Sequence, residues 1–221
     1  MNLVLLGAPG SGKGTQAELI SKKYGWPHIS TGEIFRNIKA GKSSLAEAVK
    51  GYIDRGQLVP DSITVDIVEQ RISESDCERG FLLDGFPRSI YQAEILGVSL
   101  GRRGMGIDCV LYLALSDEAI IRRLEARRVC PGCGRDYNLV TQPPKENGKC
   151  DACGTQVARR VDDNIKIIRE RLNVYRKETQ PLVDYYIKKK VLSEIDASKT
   201  IEEVSVSVKE FIDLKCDVHR T

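Results

Sequence analysis

The stretch Leu3-Val4-Leu5-Leu6-Gly7-Ala8-Pro9-Gly10-Ser11-Gly12-Lys13-Gly14-Thr15 decides the fold. Its four leading apolar residues read as a short buried strand. Gly7 and Pro9 end that strand, and Lys13–Tyr24 reads as the helix that follows. A glycine-rich turn between strand and helix lets backbone N–H groups converge on phosphate oxygens, and the helix N-terminus adds favourable potential. Lys13 can reach the β- and γ-phosphates. Gly10, Ser11, Gly12, Lys13, Gly14 and Thr15 are therefore candidate phosphate-binding residues. The general phosphate-loop pattern has Ser or Thr directly after the lysine; here Gly14 intervenes and Thr15 carries the hydroxyl.

Outward from this stretch, short apolar runs alternate with helical patterns. Strands are expected at His28–Ser30, Phe81–Asp84, 109–115 and 191–195. Helices are expected at 34–40, from Asp61 as cap through Ile63, Ile67, Val68 and Ile72, and from Ser116 as cap through Ile120, Ile121 and Leu124 toward Arg128. A further helix should run from Asp163 to Glu178 and break or kink at Pro181. Ile201, Val204, Val208, Phe211 and Ile212 form the stripe of a final helix. Strands separated by helices imply βαβ units and a parallel sheet.

The chain has 221 residues, a length for one globular domain with an inserted subdomain. Its 41% hydrophobic and 29% charged fractions argue against disorder, and its net charge of +3 is too mild to mark a nucleic-acid or membrane binder. The run 3–6 is too short for a signal-peptide core, and no segment approaches the roughly 18–20 apolar residues of a membrane helix. The expectation is a cytoplasmic monomer with no nucleic-acid or membrane partner.

Between residues 129 and 161 helical periodicity disappears, and Gly, Pro, Cys and polar residues dominate. Cys130, Cys133, Cys150 and Cys153 form two Cys-x2-Cys pairs, a spacing typical of a four-thiolate zinc site. Four thiolates leave no open position, so the metal should be structural, and it would supply stability that the insertion's few large apolar groups cannot. Iron suits the same sulfur cage, and two disulfides or free thiols are the alternatives. Cys77 and Cys109 read as small buried apolar residues.

Taken together, residues 7–15, 31–36, 56–61, 80–88, 127–128 and 160–163 resemble the adenylate kinases, of the longer form with a cysteine-bearing lid. The lysine–glycine–threonine order matches the nucleoside-monophosphate-kinase variant of the phosphate loop. The resemblance covers nearly the whole chain. It implies an α/β core with a five-stranded parallel P-loop sheet (residues 1–29, 60–125 and 164–221), an AMP-binding segment (30–59) and a zinc-bearing lid (126–163). It also implies transfer of the γ-phosphoryl of MgATP to AMP, giving two ADP. The AMP phosphate is already an oxyanion, so the site needs positioning and spread positive charge rather than a general base. Arginine's fixed fork suits that task.

By the same resemblance Arg36 and Arg88 contact the AMP phosphate. Arg123 and Arg127, four apart and expected on one helix face, hold ATP. Arg160 and Arg171 clamp the phosphates as the lid closes. Asp84 orients water on Mg2+, while Asp162 and Asp163 orient arginines or cap the next helix. Thr31, Gln57, Leu58, Val59, Gly85 and Gln92 line the AMP site, with Gln92 reading the base. Tyr137 and Lys199 contact the ATP adenosine. Asn164, Ile165, Lys166 and Ile167 depart from the family's usual acidic and threonine residues, and Ala197 replaces a common glycine. A UMP/CMP kinase, an ATP-dependent nucleic-acid binder with a zinc ribbon, and a zinc-bearing interaction module with a dead ATP site are the rival readings. The insertion's single aromatic, Tyr137, speaks against the second, and the intact lysine and arginine set against the third.

Overall fold

The computed structural model describes residues 1–41, 43–160 and 163–218. Five parallel strands, β1 (Asn2–Leu6), β2 (His28–Ser30), β3 (Phe81–Asp84), β4 (Cys109–Ala114) and β7 (Leu192–Asp196), form one sheet in the order β2-β3-β1-β4-β7. The register sets Val4 beside Leu83 on one side and beside Val110 on the other. Two further strands, β5 (Arg127–Val129) and β6 (Asp136–Asn138), form a separate antiparallel pair.

The strands are continuous apolar runs because both sheet faces are covered. Side chains alternate across the sheet. Val4, Leu6, Phe81 and Leu83 face helices α4 (Asp61–Ile72), α5 (Ile90–Gly101) and α8 (Pro181–Lys188) through Val68, Leu96, Leu100 and Leu182. Leu3, Leu5, Leu82 and Leu111 face helices α1 (Lys13–Tyr24) and α9 (Ile201–Val218) through Ile20, Val204, Val208 and Ile212. Helices α2 (Thr31–Ala40) and α3 (Ser44–Asp54) build a small separate core from Phe35, Val49 and Val59. Among the described residues the cysteine insertion has a small apolar cluster of Cys130, Tyr137 and Cys150, with Val157 against them.

Several expectations need correcting. Helix α2 starts at Thr31, earlier than expected, because Ser30 caps it by accepting from Glu33 N. Helix α3 has too short an apolar stripe to stand out in the sequence; Ser43 caps it. Asp61 is no cap: Pro60 occupies that position, and Asp61 turns toward α5 instead. Helix α6 (Asp117–Ala126) does start at the Ser116 cap, but it ends before Arg127. Asn164, not Asp163, caps α7 (Ile165–Val174) by accepting from Ile167 N. Pro181 does not break the chain's helical course. A π-helical turn at Tyr175–Thr179 precedes it, and Pro181 takes a first-turn position of α8, where its missing N–H costs nothing. Among the described residues no helix is long and apolar enough to cross a membrane.

Candidate active site

Parallel strands end on one edge, so Leu6, Ser30, Asp84, Ala114 and Asp196 all deliver their following loops to the same side of the sheet. That edge is where open α/β sheets hold ligands. A cleft of about 1470 Å³ opens there. It is lined by residues from Gly10 to Thr15 and by Thr31, Arg36, Gln57, Leu58, Val59, Asp84, Gly85, Arg88, Gln92, Arg123, Arg127, Tyr137, Arg160, Arg171 and Lys199. Every nucleotide-site residue expected from the sequence thus lines one cavity.

The phosphate loop packs tightly on α6. Gly10 has φ +85°, and a Cβ there would sit 2.8 Å from Leu124. Lys13 folds back, its Nζ donating to Gly7 O (2.7 Å) and Ala8 O (2.9 Å). Burial pushes the Lys13 ammonium down to about 8; Asp84 opposes that shift, and Arg88, Arg171 and Arg127 reinforce it. Among the described residues Ser11 Oγ is buried with no hydrogen-bond partner, a polar atom that a ligand oxygen would satisfy.

Asp84 closes β3 at the cleft floor. Burial alone would raise its carboxyl, but His28, whose Nε2 stands 3.4 Å from Oδ2, and Lys13 outweigh that and hold it below the usual range. A Cβ on Gly14 would lie 3.8 Å from the same oxygen, so the loop runs against the carboxylate. An ionised carboxylate beside a loop carrying the Thr15 hydroxyl is a hard oxygen set, suited to Mg2+.

The arginines are fixed by different devices. Arg88 donates from Nε to Gly85 O (2.7 Å), while its backbone oxygen accepts from Thr179 Oγ1 (2.9 Å). Arg123 donates to Ser11 O (3.4 Å) and Ala197 O (2.8 Å), so the departure at residue 197 contributes a backbone carbonyl. Arg127 does not share a helix face with Arg123. Its backbone is extended, because the ladder that pairs Arg127 with Asn138 takes over where α6 stops. Its fork instead holds the fully buried Asp163 through two hydrogen bonds of 2.6 and 2.5 Å, and Arg171 donates to the same carboxylate at 3.2 Å. Arg160 donates to both oxygens of Asp136 at 2.6 Å. Asp162 lies outside the described residues.

Gln92 is buried, and its amide is held at both ends. Oε1 accepts from Arg88 N (2.7 Å) and Nε2 donates to Asp61 Oδ1 (2.6 Å). The acid accepts only and the backbone N–H donates only, so the amide cannot be flipped without losing both bonds. Each end keeps one further hydrogen-bonding site.

In the insertion the four Sγ atoms of Cys130, Cys133, Cys150 and Cys153 all lie within 4.8 Å of one another. Cys130 and Cys153 stand 3.4 Å apart and Cys133 and Cys150 3.5 Å apart. Zinc–sulfur bonds of ~2.3 Å in a tetrahedron require sulfurs roughly 3.8 Å apart, so the cage fits such an ion. The Tyr137 hydroxyl donates to Cys150 Sγ (3.3 Å) and, with backbone N–H groups of residues 152 and 153, lowers that thiol to about 6. The Tyr137 phenol thus belongs to the cysteine cage, although the residue also lines the cleft.

Sequence reasoning missed His28, Asp61 and Asp136. Each acts through a partner far along the chain, and only His28, at a strand end beside the phosphate loop's sheet edge, carried a readable signal.

A family model for adenylate kinase matches residues 5–191. A protein named adenylate kinase from Clostridium beijerinckii is 48% identical over 212 residues, covering 96% of this chain and 98% of its own. Another so named, from Caldanaerobacter subterraneus subsp. tengcongensis, is 48% identical over 221 residues, covering 99% of this chain and 100% of its own.

Proposed function

The chain belongs to the adenylate kinase family of ATP:AMP phosphotransferases, and from that premise we propose how its cleft moves the γ-phosphoryl of MgATP reversibly onto AMP. The observation that carries the reading is the convergence on one cleft of a lysine-bearing phosphate loop and the six arginines expected from the sequence. Two polyphosphates meeting head-on repel strongly, and fixed positive charge both holds them in line and stabilises the charge that spreads in transfer.

On this reading residues 10–15 cradle the ATP phosphates, Arg123 and Arg127 flank them, and the adenosine runs toward Tyr137 and Lys199. AMP lies against Thr31, Arg36, Gln57, Leu58, Val59, Gly85, Arg88 and Gln92. Arg160 and Arg171 reach both phosphate chains. Asp136 and Asp163 keep Arg160, Arg127 and Arg171 oriented before the anions arrive. Asp84 and Thr15 would hold Mg2+ or its water; when bound, the ion neutralises charge on the β- and γ-phosphates. The segments 30–59 and 126–163 close over the core formed by 1–29, 60–125 and 164–221 and exclude water. The cysteine cage holds Zn2+ as a scaffold. Every group the reaction needs lines one chain's cleft, which supports a monomer, working in the cytoplasm beside its nucleotides.

Gln92 supports adenine as the acceptor base. Its fixed amide offers an acceptor and a donor in a set order, matching the amine and ring nitrogen of adenine and mismatching the edges of guanine and uracil. Two mismatched hydrogen bonds at about 1–3 kcal/mol each correspond to roughly 30- to 3 × 10⁴-fold in kcat/KM. A coupled assay with MgATP and AMP, UMP, CMP or GMP should therefore give AMP a far higher kcat/KM than UMP or GMP, whereas cytosine presents the same amine and ring nitrogen and differs from adenine here only in its smaller ring. Faster use of UMP or CMP would overturn the choice of acceptor.

Lys13 predicts a pH dependence. Its ammonium is charged below about 8 and neutral above. Only the charged form attracts phosphate, so MgATP affinity should be level below pH 8 and fall about tenfold per pH unit above it. Calorimetric titrations between pH 7 and 9.5 measure this, and a flat affinity to pH 9.5 would mean that Lys13 does not bear on the phosphates.

A further inference from the structure

Strand β6 is three residues long, and each residue grips a different part of the molecule. Asp136 holds Arg160 through both carboxylate oxygens (2.6 Å each). Asn138 Nδ2 donates to the backbone oxygen of Arg123 (3.0 Å), and the Asn138 backbone closes the ladder with Arg127. Between them Tyr137, 3% exposed, donates to Cys150 Sγ (3.3 Å) and accepts from Asp151 N (2.7 Å). Strand alternation puts Asp136 and Asn138 on one side and Tyr137 on the other. One side of β6 therefore meets arginines of the cleft and the other meets the second cysteine knuckle.

We infer that Tyr137 is a positioning residue that couples the metal cage to the phosphate-binding arginines through β6. This rests on the reading of the cysteines as a metal site and of Arg160 and Arg123 as phosphate ligands. Two physical points support it. Among the described residues the insertion's buried apolar cluster is Cys130, Tyr137 and Cys150, so Tyr137 ties β6 to the cysteines while the ladder with β5 ties it to Arg127. A hydrogen bond from Tyr137 to a ligating sulfur orients that ligand, and partners of this kind commonly alter metal affinity by about 10–100-fold. An ion that sets Cys150 thereby sets the phenol, the strand and the two arginines. By linkage, whatever factor the ion adds to nucleotide affinity at the arginines, bound nucleotide adds to metal affinity.

The test compares the full chain with Tyr137→Phe, which removes one oxygen and keeps the ring. Zn2+ affinity is measured by competition with a chromogenic chelator, with and without a saturating analogue that joins two adenosines through phosphates. The wild-type protein should hold Zn2+ several-fold more tightly when the analogue is bound. Tyr137→Phe should bind Zn2+ about 10–100-fold more weakly, and the analogue's effect should shrink toward none. Asp136→Asn keeps the phenol–sulfur bond but weakens the grip on Arg160. It should retain the free protein's Zn2+ affinity and lose part of the analogue's effect. Wild-type Zn2+ affinity in Tyr137→Phe would overturn the role in the cage. Weakened affinity with an undiminished analogue effect would overturn the coupling. A wild-type chain that takes up no Zn2+ would remove the metal reading and the proposal with it, whereas transfer activity from MgATP to AMP would still stand.

Discussion

Arg88→Ala should lower kcat by about 10²–10³-fold and leave the fold intact, because loss of one preorganised donor at a developing anion typically costs that much. The residue meets the requirements for such a donor. Its guanidinium is anchored on Gly85 O, its N–H on Gln92 and its backbone oxygen on Thr179, so no reorganisation is needed when charge moves. Burial lowers its pKa, with Asp84 opposing the shift, and a guanidinium is basic enough to stay charged at neutral pH all the same. The backbone anchors survive truncation, and the gap opens onto the cleft rather than into the apolar core. The loss should fall on kcat more than on KM, the signature of an interaction strongest in the transition state. Steady-state kinetics with circular dichroism of the variant measure this. A kcat within threefold of wild type would mean that the phosphoryl group travels by another path.

Removing the cage's metal should have the largest effect on stability. The insertion has almost no apolar core of its own, so ion binding there is folding free energy. In zinc-finger peptides this amounts to about 10–16 kcal/mol. Even about 4 kcal/mol would shift the Tm of a chain this size by roughly 8–16 °C. Cys153→Ala, or prolonged chelation, should therefore lower the Tm by at least that and melt the insertion before the core. The sheet is held by two separate apolar clusters on its two faces. The protein should accordingly still bind ATP at low temperature. Elemental analysis, calorimetry and nucleotide titration of the same sample test the point. A metal-free variant that melts like wild type yet transfers no phosphoryl would assign the ion to the reaction instead of the scaffold.

What the sequence determined by itself is what short-range physics governs. Apolar runs of strand length, glycines at the phosphate turn, Ser116 as a helix cap and the two Cys-x2-Cys pairs are each settled within a few residues, and the structure agrees with all four. What only the tertiary structure decided are the pairings of polar groups far apart in the chain. Arg127 leaves its helix because a ladder with β6 captures it, and then shares Asp163 with Arg171. Asp61 gives up a capping role to lock Gln92, thirty-one residues away. Arg160 finds Asp136 across twenty-four residues, and Tyr137 turns its hydroxyl to Cys150. Periodicity carries no information about such partners, because a charged or polar group buried by folding takes whichever complement the fold brings within ~3 Å. The residues that line the cleft were therefore legible in the sequence, whereas the acids that hold its arginines and the strand that ties them to the cysteine cage became visible only once the chain was folded.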